Sequence, residues 1–134
     1  IEERIESLIE ELDLRDFADR RTRGFSQGQQ TKVALARALV HGPQNVVLDE
    51  PSNGLDVMAT RSLRELVRTL KSAGRCVLFS SHVMQEVAAL CDEIVIIADG
   101  KVALHDSPDG IRNATGCDDL EDAFVSAISK SGEP

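Results

Sequence analysis

Two short apolar runs, separated by a segment of helical length, constrain the fold of this chain most strongly. The first run, NVVLD, ends at Asp49 between two prolines, and the second, RCVLFSS, occupies residues 75–81. Both are shorter than a typical helix and have the composition of strands that are buried on both faces. The segment between them can begin as a helix at Asp56 and end at Gly74. Strand, helix and strand in this order predict a right-handed parallel crossover and an α/β fold.

Helical spacing also recurs within and before this unit. In the crossover helix, the predicted buried positions are Leu63, Leu66, Val67 and Leu70. The opening IEERIESLIEEL predicts an amphipathic packing helix whose buried stripe contains Ile1, Ile5, Leu8, Ile9 and Leu12. A further helix is predicted to begin at Ser26, which has capping-box spacing to Gln29, and to end at Gly42-Pro43.

The remaining sequence predicts a mixed C-terminal region. A helix should follow His82 and end near Cys91. The run EIVIIADGKVALH predicts two strands joined by a tight turn at Asp99-Gly100, which would add an antiparallel edge to the sheet. Two short helices are expected beyond Pro108, the second around LEDAFVSAI, followed by a frayed polar tail, SKSGEP.

Composition limits the classes of function. A chain of 134 residues with 42% hydrophobic content is long enough for one compact domain. Its net charge of −8 argues against binding to a phosphate backbone, so nucleic acid is not expected as a direct partner.

Cys76, Cys91 and Cys117 form no CxxC pair, which indicates neither a zinc site nor a disulfide framework and suits a reducing cytosol. No apolar run approaches the roughly 20 residues that span a bilayer, and the acidic opening lacks the basic start of a signal peptide. We therefore expect a soluble chain that can dock on a membrane protein.

Two segments carry candidate phosphate chemistry. The helix start at residues 26–29 offers unpaired amides and a positive dipole end to an anion, although a plain capped helix also explains it. Asp49 and Glu50 are costly to keep ionised at the end of a buried strand unless a metal ion and its phosphates compensate. Strand alternation should send these two side chains in opposite directions. The alternative for this pair is a solvated strand end.

His82 follows the second predicted strand, at the edge where open α/β sheets collect their ligands. A single histidine is more often structural or merely exposed, and that interpretation is preferred for His41 and His105. A Ser-His-Asp hydrolase is disfavoured because no G-x-S-x-G segment is present. Lys32 and Arg37 are expected to face solvent or to form ion pairs within the domain.

The run FSQGQQTKVALARALVHGPQNVVLDEPSNGLD, from Phe25 to Asp56, resembles the ATP-binding cassette family. It contains a signature loop at residues 25–29, a Walker B strand that ends in Asp49 and Glu50, and a D-loop at residues 52–56. With His82 in the place of the family's switch histidine, the resemblance covers nearly the whole chain. The amino-acid sequence here is most similar to that of single-domain cassette subunits of bacterial exporters, including sodium and multidrug efflux types.

The resemblance implies a role for each motif. Ser26, Gly28 and Gln29 would contact the γ-phosphate of an ATP that a second subunit holds. Gln27 departs from the family, which most often has glycine there, so its side chain must point away from the nucleotide or narrow the pocket. Ser52 and Asp56 of the D-loop would lie at the dimer interface, although a tight turn at Gly54 and a helix cap at Asp56 explain this loop locally.

The resemblance also implies the catalytic groups. Asp49 would support Mg²⁺, often through a water, and Glu50 would polarise the attacking water as general base. His82 would hold the γ-phosphate and help to align that water.

A nucleotide-binding P-loop needs the spacing G-x-x-x-x-G-K-[ST], and none of the nine glycines satisfies it. We therefore expect the Walker A loop, the adenine-stacking aromatic residue and the Q-loop to lie upstream, so that the chain is the C-terminal portion of one cassette. Within it, residues 1–42 would form a helical signature subdomain, 43–106 the Walker B to H-loop core, and 107–134 the C-terminal helices.

The implied function is that of the ATP-hydrolysing subunit of a membrane transporter. Two such subunits, as a homodimer, would close on ATP and drive a transmembrane permease from the cytoplasmic face of the membrane. A soluble cassette ATPase of DNA repair, chromosome organisation or translation is the first alternative. The second is a non-catalytic folding or interaction module, and without a P-loop we expect the 134 residues by themselves to be inactive.

Overall fold

The computed structural model describes residues 2–131, and its contacts divide this part of the chain into two compact units, the first ending at residue 81 and the second beginning at residue 82. The first unit contains α1 (Glu2–Glu11), α2 (Gln27–Leu39), β1 (Asn45–Leu48), α3 (Val57–Ser72) and β2 (Cys76–Phe79). The second contains α4 (Met84–Leu90), β3 (Ile94–Ala98), β4 (Lys101–Asp106), α5 (Pro108–Thr115) and α6 (Leu120–Ser131). None of the helices in residues 2–131 combines the length and apolar character needed to cross a membrane.

The predicted strand-helix-strand unit is present. Strands β1 and β2 pair in parallel, with Val47 opposite Leu78 and Leu48 opposite Phe79. Helix α3 connects them, and all four of its predicted core positions, Leu63, Leu66, Val67 and Leu70, are buried. The side chain of Asp56 caps α3 by accepting the Ala59 N–H at 2.8 Å. Gly74 ends the helical segment in the left-handed region, with φ of 74°.

The prediction that these strands are buried on both faces is wrong for this chain. Val46 and Leu48 are buried, but Val47 is 73% exposed and Leu78 is 63% exposed. Because successive side chains of a strand point to opposite faces, the paired residues Val47 and Leu78 share one face of the sheet. In the described part of the chain that face is uncovered.

Helices α1 and α2 form the start of the first unit. Of the predicted stripe on α1, Leu8 and the following Leu12 are buried, whereas Ile5 is 43% exposed at the mouth of an open apolar groove between the helices. Ile1 lies outside the described residues. Helix α2 begins with the predicted capping box at Ser26 and ends at Leu39, a few residues before Gly42 turns the chain with φ of 64°.

The second unit packs helices on a hairpin. Asp99 and Gly100 both have positive φ, at 51° and 73°, as the predicted turn between β3 and β4 requires. The hairpin forms a separate two-stranded sheet, so the expected antiparallel edge on the parallel sheet is not formed in residues 2–131. Strand β3 pairs with β4, the next strand in sequence, because a short turn is enough to join two antiparallel strands.

The core of the second unit joins β3 to the helices around it. It consists of Val87, Ile96, Ile111, Leu120, Ala123 and Ala127. Helices α4, α5 and α6 confirm the predicted helix before Cys91 and the two helices beyond Pro108. Residues 132–134 of the predicted frayed tail lie outside the described part of the chain.

A tight turn joins β1 to α3 and packs against the start of α2. Gly54 has φ of 74°, and the Leu55 N–H donates to the Ser52 carbonyl at 3.1 Å. A Cβ placed on Gly54 would lie 2.6 Å from Cδ of Gln27, closer than side chains approach one another. Gly54 is therefore needed for its backbone conformation, and a side chain there would also have to displace the flexible end of Gln27.

Gly54→Ala should consequently destabilise the chain more than Gly74→Ala. Both residues have φ of 74°, but a Cβ at Gly74 would have no atom within 4 Å, so this control measures backbone strain alone. We expect Gly74→Ala to lower the free energy of unfolding by about 1 kcal/mol, and Gly54→Ala by about 1.5 kcal/mol because the end of the Gln27 side chain has to move aside. Urea unfolding followed by circular dichroism measures both. Adding Gln27→Ala to Gly54→Ala should remove the excess, and equal losses in the two glycine variants would contradict the contact.

Candidate functional site

Two acidic residues and a serine lie together where β1 and β2 end. The Ser80 hydroxyl donates to Oδ1 of Asp49 at 2.6 Å, and the backbone N–H of Glu50 donates to the Ser80 oxygen at 2.8 Å. The Ser80 N–H donates to the Leu48 carbonyl at 3.0 Å, which continues the parallel ladder past the last strand residue. One serine thus connects both predicted Walker B carboxylate residues to the neighbouring strand.

Glu50 has an unusual backbone for its position. Its φ is +45°, in the left-handed region that residues with a Cβ seldom adopt, and the proline that follows disfavours helical conformations further. The Asn53 N–H donates to the Glu50 carbonyl at 3.0 Å and closes the turn. Because β1 ends at Leu48, Asp49 and Glu50 lie beyond the strand, and the predicted opposite directions of their side chains stay a prediction.

The expected burial of this carboxylate pair is also corrected. Asp49 is exposed and Glu50 is half-buried in the described chain, so the cost of holding two buried charges does not arise here. The exposed carboxylate remains accessible to a cation or to phosphate-bound metal. Because Ser80 donates to one of its oxygens, the other oxygen of Asp49 keeps acceptor capacity.

The predicted signature loop forms the start of α2. Oγ of Ser26 accepts the Gln29 N–H at 3.2 Å, and Oε1 of Gln29 accepts the Ser26 N–H at 3.0 Å. Gln27 and Gly28 are the first two residues of the helix, where backbone N–H groups have no acceptor within the helix. The arrangement can accommodate an anion, and the capping box orients these amides.

Gly28 is not required by packing within the chain. A Cβ at this position would lie 3.7 Å from the Gly54 carbonyl oxygen and 3.7 Å from Cδ2 of Leu55, which are ordinary contacts. Its φ is not in the left-handed region. The glycine instead leaves the start of α2 open to a close neighbour.

The structure brings the signature loop and the D-loop together. Gln27 packs on Gly54, so the residue that departs from the family's usual glycine is used in a contact within the chain. Asp56 has a local structural role as the cap of α3. The Ser52 carbonyl accepts a hydrogen bond in the turn at Gly54. The interface role of Ser52 and Asp56 stays a prediction.

The structure confirms some of the predictions for the other polar residues. Nζ of Lys32 lies 3.4 Å from Oδ2 of Asp13, which confirms pairing within the domain, and Arg37 is exposed as predicted. His105 lies 3.1 Å from Oε2 of Glu93. His82 is exposed and begins the second unit, whereas Glu50 belongs to the first, so their expected cooperation stays a prediction.

Sequence reasoning missed Ser80. A signal was present, because Ser80 and Asp49 are the first residues after two apolar runs that the crossover predicts to be parallel. What the sequence could not supply was the register, which places Leu48 opposite Phe79 and therefore Asp49 beside Ser80.

Comparisons with known proteins agree with the fold. A family profile described as ABC transporter matches residues 1–53. The ABC transporter ATP-binding protein NatA of Bacillus subtilis (strain 168) is 40% identical over 128 residues, which are 96% of this chain and 52% of NatA. The lantibiotic transport ATP-binding protein SrtF of Streptococcus pyogenes is 36% identical over 121 residues, which are 90% of this chain and 50% of SrtF.

A solved structure supports the same relationship. It is described as the ATP binding subunit of an ABC transporter, and it matches with a TM-score of 0.86 and 30% sequence identity. The match covers 94% of this chain and 53% of that structure, and the chain likewise spans about half the length of the curated relatives it matches. Sequence and structure agree, and the chain belongs to the ATP-binding cassette family.

Proposed function

We propose that this chain supplies the signature, Walker B, D-loop and switch segments of an ATP-hydrolysing transport subunit. The observation that carries the proposal is the pair of carboxylate residues held at the common end of β1 and β2 by Ser80. Ligands of open α/β sheets bind at this end of the strands. Membership of the family supplies the chemistry, since ATP hydrolysis is what its complete members perform.

Asp49 is the residue proposed to support Mg²⁺. The ion prefers carboxylate oxygens together with waters and substrate phosphates, so one exposed carboxylate is a sufficient protein contribution. Among residues 2–131, no group of three or more histidine, cysteine or acidic side chains could hold a metal by itself. Asp49 fits an ion that arrives with ATP, and such an ion neutralises charge on the phosphates.

Glu50 is the proposed general base. A base must lie within hydrogen-bond reach of the water that it activates, and geometry comes before pKa in choosing it. The backbone of Glu50 has a left-handed φ directly after β1, so the turn and not the strand determines where its carboxylate lies. His82 is proposed to hold the γ-phosphate as an imidazole donor.

The start of α2 is proposed to meet the ATP held by a second copy of the subunit. Ser26, Gly28 and Gln29 lie at a helix N-terminus, where the dipole and the unpaired amides favour a phosphate. Ser52 and Asp56 are proposed to lie at the same interface, because the D-loop packs on the signature loop through Gln27 and Gly54.

Transport is the proposed task, with a permease as partner at the cytoplasmic face of the membrane and export as the direction. The names of NatA and SrtF, an ABC transporter ATP-binding protein and a lantibiotic transport ATP-binding protein, support transport. They favour transport over the cassette ATPases of DNA repair, chromosome organisation or translation. Export as the direction rests on the resemblance of the sequence to bacterial exporter subunits.

Glu50→Gln tests the proposed base. The variant is made in a complete subunit, built by joining this chain to the segment of NatA that precedes the matched region. We expect ATP binding to be retained and the ATPase kcat to fall by about 10² to 10⁴, the usual contribution of a positioned base. Glu65→Gln, an exposed glutamate on α3 that pairs with Arg61, is the matched control and should leave kcat unchanged. Unchanged turnover in Glu50→Gln would refute the assignment.

Gly28→Ala tests the openness of the signature loop. An alanine makes only ordinary contacts at this position and favours the helix, so the free energy of unfolding should not decrease. The added methyl group should nevertheless reduce the ATPase rate of the complete subunit about tenfold by obstructing the approach of phosphate. Ala34→Ser, an exposed position on α2, is the control. Full activity in Gly28→Ala would show that nothing closely approaches this residue.

Calorimetry tests the dependence on a Walker A segment. We expect Mg-ATP titrated into the 134-residue chain to give no detectable binding, because its sequence contains no G-x-x-x-x-G-K-[ST] segment to cradle the β- and γ-phosphates. The complete subunit should bind under the same conditions. Comparable binding of Mg-ATP by the 134-residue chain and the complete subunit would reveal a phosphate site in this chain that does not depend on a Walker A segment.

A further inference from the structure

We propose that Ser80 is a positioning residue for ATP hydrolysis, acting through the Asp49 carboxylate and the Glu50 backbone. The inference rests on the proposed function, in which Asp49 supports Mg²⁺ and Glu50 is the base. Ser80 belongs to none of the signature, Walker B or D-loop segments, and its side chain contacts both Walker B acids.

The hydrogen-bond directions around Ser80 are fixed by chemistry. A hydroxyl has one proton to donate and lone pairs to accept with. The Glu50 N–H can only donate, so the Ser80 oxygen accepts it at 2.8 Å and its proton is directed to Oδ1 of Asp49 at 2.6 Å. Oδ1 of Asp49 accepts this proton, and carboxylate oxygens are also the ligands that Mg²⁺ prefers.

Ser80 is itself held in place by the sheet. Its N–H donates to the Leu48 carbonyl at 3.0 Å, directly after the pairing of Leu48 with Phe79. The hydroxyl is therefore carried by a rigid strand end, while both of its partners lie in the turn that follows β1. The more ordered strand fixes the less regular segment.

The backbone of Glu50 needs such a restraint. A left-handed φ of +45° is unfavourable for a residue with a Cβ, and still more so before proline. The bond from the Glu50 N–H to Ser80 stabilises this conformation from one side, and the Asn53 N–H stabilises it from the other. Without the hydroxyl, Glu50 can relax towards the extended region, which moves its carboxylate away from the position set by the turn.

A positioning role predicts a specific kinetic effect. In the complete subunit, Ser80→Ala should lower kcat at least tenfold and leave the KM for ATP within about twofold, because displacement of a base affects the chemical step. Ser80→Thr keeps the hydroxyl and should retain kcat within about threefold. Ser62→Ala, which removes a hydroxyl that donates to the Met58 carbonyl, is the matched control and should have no effect.

A second measurement uses the 134-residue chain and needs no activity. The three-bond HN–Hα coupling and amide exchange of Glu50, measured by NMR, report its φ and its hydrogen bond. In Ser80→Ala the coupling should change towards an extended value and the amide should exchange at least tenfold faster, whereas Ser80→Thr and Ser62→Ala should resemble the unaltered chain. If Ser80→Ala fails to fold, Ser80→Cys serves instead, because a thiol has similar shape and is a weak hydrogen-bond partner.

The outcomes separate this inference from the proposed function. Loss of kcat in Glu50→Gln with full kcat in Ser80→Ala would overturn the role of Ser80 and leave Glu50 as the base. Retained turnover in Glu50→Gln would overturn the proposed base, and with it the catalytic role of Ser80. An unchanged Glu50 coupling and amide exchange in Ser80→Ala would overturn the positioning geometry itself.

Discussion

The register of one parallel strand pair is the constraint on which the rest of the candidate site depends. Leu48 pairs with Phe79, so the two strands end together and the first residues beyond them become neighbours. Ser80 can then contact Asp49 and the Glu50 N–H at the same time. A shift of one residue would send the alternating side chains of β1 to the opposite face and would break this connection.

Local hydrogen bonds form the caps at the starts of α2 and α3. The capping box at Ser26 forms among residues within one turn of α2, and the cap at Asp56 does the same for α3. Each helix start is therefore determined by its own sequence. Packing of Gln27 on Gly54 then joins them, so the signature segment and the D-loop segment form one surface rather than two separate loops.

The residues that sequence motifs single out do not all have the same explanation. Asp56 has a complete local role as a helix cap, and Ser26 and Gln29 satisfy each other. Gly28 and Glu50 are different. Packing within the chain does not require a glycine at position 28, and the left-handed φ of Glu50 is one that residues with a Cβ seldom adopt. Residues without a sufficient structural reason are the stronger candidates for function.

The sequence by itself determined the elements that depend on near neighbours. The strand-helix-strand unit, the buried face of α3, the caps at Ser26 and Asp56, and the turn at Asp99-Gly100 all follow from spacing and from hydrogen bonds between residues close along the chain. Family motifs in the sequence also predicted that Asp49 and Glu50 are the Walker B acids and that α2 is the signature helix.

Only the tertiary structure decided the features that depend on distant residues. The register of β1 against β2 revealed Ser80, the contact with Gly54 gave Gln27 its place, and the coverage of each sheet face showed that Val47 and Leu78 are exposed. The sequence predicted the pairing of β3 with β4, but it did not show that this hairpin forms a sheet of its own. The physical reason is that a local pattern specifies which groups need a partner or an apolar neighbour, whereas the folded chain specifies which group, if any, comes close enough to serve.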